Sequence, residues 1–295
     1  MTGLPTRLVF GLAVPETQSA PEAGVGPLIR WIGARAGIEL VRFQVPSYEA
    51  LARQMVEGAL HVAWLPPIVF VRLEHDGIAS PLVVNRRRRT GPGGYQSVLV
   101  VPIASEIESL DDLRGRSIAW VDPLSASGYV LPRIQLAAHG IDPRTTFAEE
   151  RFYGSHQAVV RALVDGSADV AATFAGLDEL GVVSRGGWSN ETGAYPTIRV
   201  LATFGEIPAD LIAVRSDVDP HMRDALTAAF VDACSDPTMA PLVKRTFGVE
   251  TFAPDSFDSY DGLRRAIDAA AARGLMDLAV VNSTRMPTRP PIPSQ

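Results

Sequence analysis

Ser117-Ile118-Ala119-Trp120-Val121, then Asp122-Pro123-Leu124-Ser125-Ala126-Ser127-Gly128-Tyr129, then the apolar-periodic run Pro132–Ala138: the stretch reads as a buried strand, a short polar loop and a helix. The first-turn N–H groups of a helix have no partner within it, and the macrodipole leaves that end partly positive. Two serine hydroxyls and a glycine without a side chain let an oxyanion approach several donors at once. Taken alone, the stretch reads first as a serine N-cap after a βα loop and second as an anion site. Its surroundings have to decide between the two.

The same strand–helix alternation extends on both sides. Leu8–Val14, Glu39–Val45 and Leu60–Leu65 have strand patterns, separated by helical patterns at Gly26–Ala36 and Tyr48–Glu57. A second series starts at Ser117 and runs through Ala172. Such alternation is the mark of βαβ units around a mostly parallel sheet. Tyr95–Val101 and Asp210–Val214 are strand-like, flanked by Gly or Pro, and join the two series. The C-terminal part turns helical at Pro220–Cys234, Ala240–Phe247 and Tyr260–Arg273. These patterns predict an α/β chain of two lobes: residues 1–97 with 210–281 in the first, 98–209 in the second, and a disordered tail at 282–295.

At 295 residues and 46% hydrophobic content the chain can bury a sizeable core. A net charge of −6 excludes a broad nucleic-acid surface, so anion binding requires a local, shaped site. Arg86–Arg89 is the one basic run; it reads as a solvated loop, with guidance of anions to a nearby cleft as the minority alternative. Cys234, the single cysteine, rules out an internal disulfide and reads as a core filler. Met1–Phe10 moves straight into a strand pattern without the basic and apolar regions of a signal peptide, which predicts a cytoplasmic chain as written. No apolar run long enough to insert in a membrane is present.

A 108-residue echo links the lobes: Ser47-Tyr48 opens a helix followed by His61-Val62-Ala63-Trp64, and Ser155-His156 opens one followed by Asp169-Val170-Ala171. Each places a serine cap and then a ring-bearing hydrogen-bonding side chain at a helix N-terminus. Two such ends facing one cleft would offer an anion donors from both sides. Tyr95 and Asp210 stand at the joins. His61, His75, His139, His156 and His221 lack metal-ligand spacing, and neither a nucleophile elbow nor a phosphate loop occurs. Asp111-Asp112 and Glu149-Glu150 read as solvated loop or helix-start residues. No catalytic residue, metal or cofactor is expected.

These ordered motifs, together with Gly94-Tyr95-Gln96-Ser97-Val98 and Ile207-Pro208-Ala209-Asp210, resemble the substrate-binding proteins of phosphonate, phosphite and phosphate ABC transporters from about Leu8 to Gly274. The resemblance implies a type II periplasmic-binding fold, with two lobes joined by two crossing strands and closing on the ligand by hinge motion. It implies that Ser125, Ala126, Ser127 and Gly128 hold ligand oxygens through hydroxyl and backbone groups. Tyr48, Tyr95 and His156 would bond the same oxygens, with Asp210 beside them. The implied partners are a small oxyanion and an ABC permease, in a family that is typically periplasmic or lipid-anchored.

Two departures sharpen the expectation. Ala126 stands where the family often has threonine, removing a hydroxyl donor. Ala175 stands where binders of aminoalkylphosphonates carry a glutamate for the ligand amine, so a simple phosphonate, phosphite or phosphate is favoured. Trp64 and Leu65 would line the wall facing any organic substituent. The alternatives are a cytoplasmic enzyme of the same fold, a lyase acting on a small carboxylate, and a solute sensor.

Overall fold

The computed structural model describes residues 7–13, 22–86, 95–177, 183–189, 197–254 and 260–274. Two sheets organise it. The first contains β1 (Arg7–Ala13), β2 (Glu39–Val45), β3 (Val62–Leu65), β4 (Ala79–Arg86), β11 (Leu211–Arg215) and β12 (Thr251–Ala253), in the order β12-β4-β11-β3-β1-β2. The second contains β5 (Tyr95–Pro102), β6 (Ser117–Trp120), β7 (Glu149–Phe152), β8 (Val170–Leu177) and β10 (Ile198–Ile207) in the order β10-β5-β8-β6-β7, with β9 (Val183–Gly186) paired to β8. The chain leaves the first sheet after β4 and returns to it across Pro208-Ala209-Asp210. The join expected at Tyr95–Val101 is one continuous strand of the second sheet, from Tyr95 opposite Ile207 to Pro102 opposite Ile198.

The sheets are mixed rather than mostly parallel. Parallel ladders are confined to β1–β2, β1–β3, β6–β7 and β6–β8, whereas β5 and β11 pair antiparallel with both of their neighbours. Parallel neighbours need a crossover between them, usually a helix, whereas β5 and β11 are the strands at which the chain passes from one sheet to the other.

The echo in the sequence is an echo in space. Helix α2 (Tyr48–Val56) is capped by Ser47, whose Oγ accepts from Ala50 N at 3.1 Å. Helix α5 (His156–Val164) is capped by Ser155, whose Oγ accepts from Ala158 N at 3.2 Å. Both helices stop at a left-handed glycine, Gly58 at φ 76° and Gly166 at φ 78°, where any other residue is strained. Their apolar faces, Ala50, Leu51 and Met55 in one and Val159, Val160 and Leu163 in the other, are buried. The next residue pair repeats as well. His61 N donates to Val9 O while Val9 N donates to His61 Nδ1; Asp169 N donates to Ser117 O while Ser117 N donates to Asp169 Oδ2. Asp169 is therefore held as a structural clamp.

Helix α1 (Glu22–Arg35), α6 (Pro220–Ala233) and α7 (Ala240–Phe247) cover one face of the first sheet, with Arg35 and Asp232 paired at 2.8 Å. On the other face, α3 (Pro67–His75) and α8 (Asp261–Ala272) are tied by Arg264 and Glu74 at 2.8 Å. The buried rings Phe10, Phe230 and Phe252 anchor this lobe, each side chain contributing about 2–3 kcal/mol of apolar burial. One apolar cluster runs from lobe to lobe: Val45, Leu51 and Leu65 of the first with Leu124, Val130, Leu131 and Ile207 of the second.

Several local expectations change. Ser125 does not cap an α-helix directly; it caps a π-helical turn, Ala126–Val130, that leads into α4 (Leu131–Ala138). Glu149 and Glu150 lie in β7, not in a solvated loop or helix start, and the Glu150 carboxylate accepts from Trp120 Nε1 at 2.7 Å and from Arg133. The sequence reading also passes over α3, whose all-apolar start after Pro66 resembles a strand. Cys234 is half-buried, accepts from Phe252 N at 3.2 Å and has its thiol pKa raised by burial, as suits a packing residue. The arginine run beyond Arg86 and the expected tail at 282–295 lie outside the described residues.

Candidate functional site

The opening stretch makes a tight, internally bonded loop. Asp122 Oδ1 accepts from Leu124 N at 2.8 Å, and the Asp122 carbonyl accepts from Ser125 N at 2.9 Å. Ser125 Oγ accepts from Gly128 N at 3.1 Å, and Gly128 O accepts from Val121 N at 3.1 Å. A Cβ on Gly128 would overlap the Val121 side chain, so only glycine lets the loop close onto the strand. Ser97 Oγ, from β5, donates to Ser127 O at 2.8 Å and pins the turn from behind. Ser127 Oγ is the exception: it is buried, lies beside the Tyr95 hydroxyl and forms no complete hydrogen bond. The N–H groups of Ala126 and Ser127 occupy the first turn, where no intrahelical acceptor exists.

Tyr48 approaches from the other lobe as the first residue of α2. Burial and the Asp210 carboxylate push its phenol pKa up, with Asp122 adding to the effect, so these three side chains share one enclosure. Tyr95 is raised by burial and by Asp210 in the same way, with Tyr48 a further neighbour. Both phenols are therefore neutral at every working pH and available as donors.

Asp210 sits where the chain returns to the first sheet. Burial pushes its carboxyl up to about 7, although the Trp64 indole N–H and its own backbone N–H both donate to it. Trp64 is held in turn against Phe247, with ring centroids 4.9 Å apart. Tyr260 completes this corner: its hydroxyl donates to Ala209 O, and its ring meets Phe70 edge-on at 5.2 Å. Asp122 is also raised, to about 6, by burial and then by Glu49 across the cleft.

His156 opens α5. Its Nδ1 is 2.9 Å from Thr173 Oγ1 on β8, and its ring stands edge-on to Phe174 at 4.9 Å. Phe174 meets Tyr95 edge-on at 5.9 Å, which joins His156 to the tyrosine pair. Burial pushes the His156 pKa down to about 4, so the imidazole is neutral at pH 7.

The structure thus brings Tyr48, Tyr95, Ser125, Ala126, Ser127, Gly128, His156 and Asp210 to a common region between the sheets. Ala126 is buried in the cluster that also contacts Tyr48 and Tyr95. Ala175 is buried on β8 opposite Gln96 and Gly186, and brings no carboxylate. Leu65 is buried within the apolar cluster. Sequence reasoning missed three participants: Asp122 as a half-buried acid with a raised pKa, Trp64 as a donor to Asp210, and Thr173 as the partner of His156. A lone threonine inside the apolar run Val170–Ala175 was the available signal for the last of these. Among the described residues no group of His, Cys, Asp or Glu is arranged to hold a metal ion, and no helix is long and apolar enough to cross a membrane.

What can such a site do? It offers neutral O–H and N–H donors at two helix starts, beside a carboxyl that titrates near neutrality. An oxyanion suits the donors, and a shared proton suits the carboxyl.

Known proteins resemble this chain along most of its length. The profile described as "ABC transporter, phosphonate, periplasmic substrate-binding protein" matches residues 10–260. The chain is 22% identical to the phosphate-import protein PhnD of Mycolicibacterium smegmatis, over 92% of this chain and 88% of that one. Among solved structures, XAC2383 from Xanthomonas citri, bound to chloride ion, superposes with a TM-score of 0.74 at 22% identity, covering 90% of this chain and 99% of the other. PhnD1 from Prochlorococcus marinus, in complex with methylphosphonate, gives 0.71 at 16% identity, covering 92% and 100%. These likenesses establish the type II periplasmic-binding fold. The profile match over most of its length places this chain in the phosphonate-type periplasmic substrate-binding protein family of ABC transporters.

Proposed function

We propose that the chain captures a small phosphorus oxyanion (phosphate, phosphite or a simple phosphonate) between its two lobes and delivers it to an ABC permease. The observation that carries the reading is the buried Ser127 Oγ, which has no hydrogen bond of full geometry and lies beside the Tyr95 hydroxyl, with neutral Tyr48 and His156 as further donors. A buried hydroxyl left unpaired costs about 1–3 kcal/mol, which a ligand oxygen would return. In this reading Ser125, Ser127 and the first-turn N–H groups hold two oxygens. Tyr48, Tyr95 and His156 hold the remainder, with Ala126 closing the turn without a hydroxyl.

Asp210 gives the site its selectivity for phosphorus acids. A carboxylate facing an anion is repulsive unless one proton lies between them. Phosphate, phosphite and phosphonates can bring that proton as P–OH near neutral pH, or Asp210 can keep its own. Binding should therefore weaken as pH rises from 7 to 9. The absence of a glutamate at Ala175 disfavours an amine-bearing ligand. An enzyme of the same fold finds no support in these residues, because the one hydroxyl set against an imidazole, Thr173 beside His156, is fully buried on β8 and out of reach of a substrate.

The test is thermal unfolding of the purified chain with phosphate, phosphite, methylphosphonate and 2-aminoethylphosphonate. A ligand at 100 times its Kd raises stability by about 2.7 kcal/mol, several degrees in Tm. One or more of the first three should do so, more strongly at pH 7 than at pH 9. A flat response to all of them at millimolar concentration would overturn the proposal.

A further inference from the structure

Thr173 lies on β8 with its side chain fully buried, in a strand whose neighbours Val170, Ala171, Ala172 and Ala175 are all buried and apolar. A hydroxyl in such a place must find a partner. The one it has among the described residues is His156 Nδ1, at 2.9 Å. Gly187 seals the pair: its backbone passes so close that a Cβ there would overlap Thr173 Oγ1 and stand 3.3 Å from His156 Cβ. Gly187 N donates to Phe174 O at 3.0 Å, which fixes that passage, and the Phe174 ring holds the imidazole edge-on.

The geometry leaves two ways to place the proton. If Nδ1 carried it, the imidazole would donate to Oγ1 and the threonine hydrogen would be left buried with no acceptor. If the threonine donates to Nδ1, the fully buried hydroxyl hydrogen is used, and the ring hydrogen sits on Nε2 of an imidazole that is only half-buried, where water or a ligand can accept it. An unmet buried donor is the costlier outcome. We infer that Thr173 is a positioning residue whose hydroxyl donates to Nδ1 of His156 and holds the imidazole as the neutral tautomer with hydrogen on Nε2, aimed as a donor at the anion. The use of that donor rests on the oxyanion reading of the cleft; the tautomer does not. A neutral donor suits this cleft, because the His156 pKa of about 4 keeps the ring uncharged throughout the neutral range.

The experiment is long-range 1H–15N NMR on the 15N-labelled full chain, with the His156 resonances assigned by their loss in His156→Gln. Wild type should show one tautomer, hydrogen on Nε2, from pH 8 down to pH 5. Thr173→Val should give mixed tautomers and weaken methylphosphonate binding in calorimetry about tenfold, the effect of one lost hydrogen bond of ~1.4 kcal/mol. Thr173→Ser should restore the single tautomer and most of the affinity. A wild-type ring with hydrogen on Nδ1, or a Thr173→Val chain that keeps the pure Nε2–H form, overturns the inference. The wild-type tautomer decides the matter even if Thr173→Val does not fold. If methylphosphonate fails to bind wild type, the oxyanion reading fails, while the NMR result still stands for or against Thr173.

Discussion

Ser127 and Asp210 both pay a folding penalty in the empty protein, for opposite chemical reasons. Ser127 buries a hydroxyl that forms no hydrogen bond of full geometry, its neighbour being the Tyr95 hydroxyl. Ser127→Ala should therefore leave ligand-free stability unchanged or raise it by up to about 1 kcal/mol, while lowering anion affinity about tenfold. Chemical denaturation and calorimetry of the same variant separate the two. Asp210 buries an acid whose folded pKa, about 7, lies above its unfolded value of about 3.9. The folded state then holds more protons than the unfolded one between these values, so stability falls as pH rises through that window. Asp210→Asn keeps the shape and removes the charge. It should stabilise the ligand-free chain by on the order of 1–3 kcal/mol at pH 8 and by almost nothing at pH 4. Equal effects at both pH values would show that the Asp210 carboxyl is not buried as described.

The elements explain how much could be read in advance. The serine caps at Ser47 and Ser155, the closing glycines Gly58 and Gly166 and the apolar faces of α2 and α5 are local signals, and each was legible from spacing alone. Strand direction was not, because the antiparallel course of β5 and β11 depends on where the chain crosses between lobes. The π-helical turn at Ala126–Val130 was equally hidden, since one extra residue per turn leaves no mark on an apolar pattern. The Thr173–His156 contact joins positions 17 apart on different elements and needed the fold to be seen. Gly128 tests the loop as an element. Gly128→Ala must displace Val121 or open the turn, and should cost about 2–4 kcal/mol with binding lost alongside it. A Gly128→Ala chain as stable as wild type would show that the loop does not press on Val121 as described.

At the scale of the whole molecule, two sheets with their own helices share one apolar cluster and one polar enclosure. Most of the candidate donors (Tyr95, Ser125, Ser127 and His156) belong to the second sheet and its helices, while the first brings Tyr48 and, beside it, the Asp210 carboxyl. Burial raises the carboxyls of both Asp122 and Asp210, so the folded cleft holds protons that the unfolded chain releases. Titration calorimetry of the ligand-free chain with methylphosphonate, phosphite and phosphate at pH 7, repeated with His156→Ala, tests this directly. The account predicts saturable binding of one anion per chain for at least one of the three, weakened tenfold or more in the variant. No saturable heat from any of them at millimolar concentration, or an affinity untouched by His156→Ala, would contradict it.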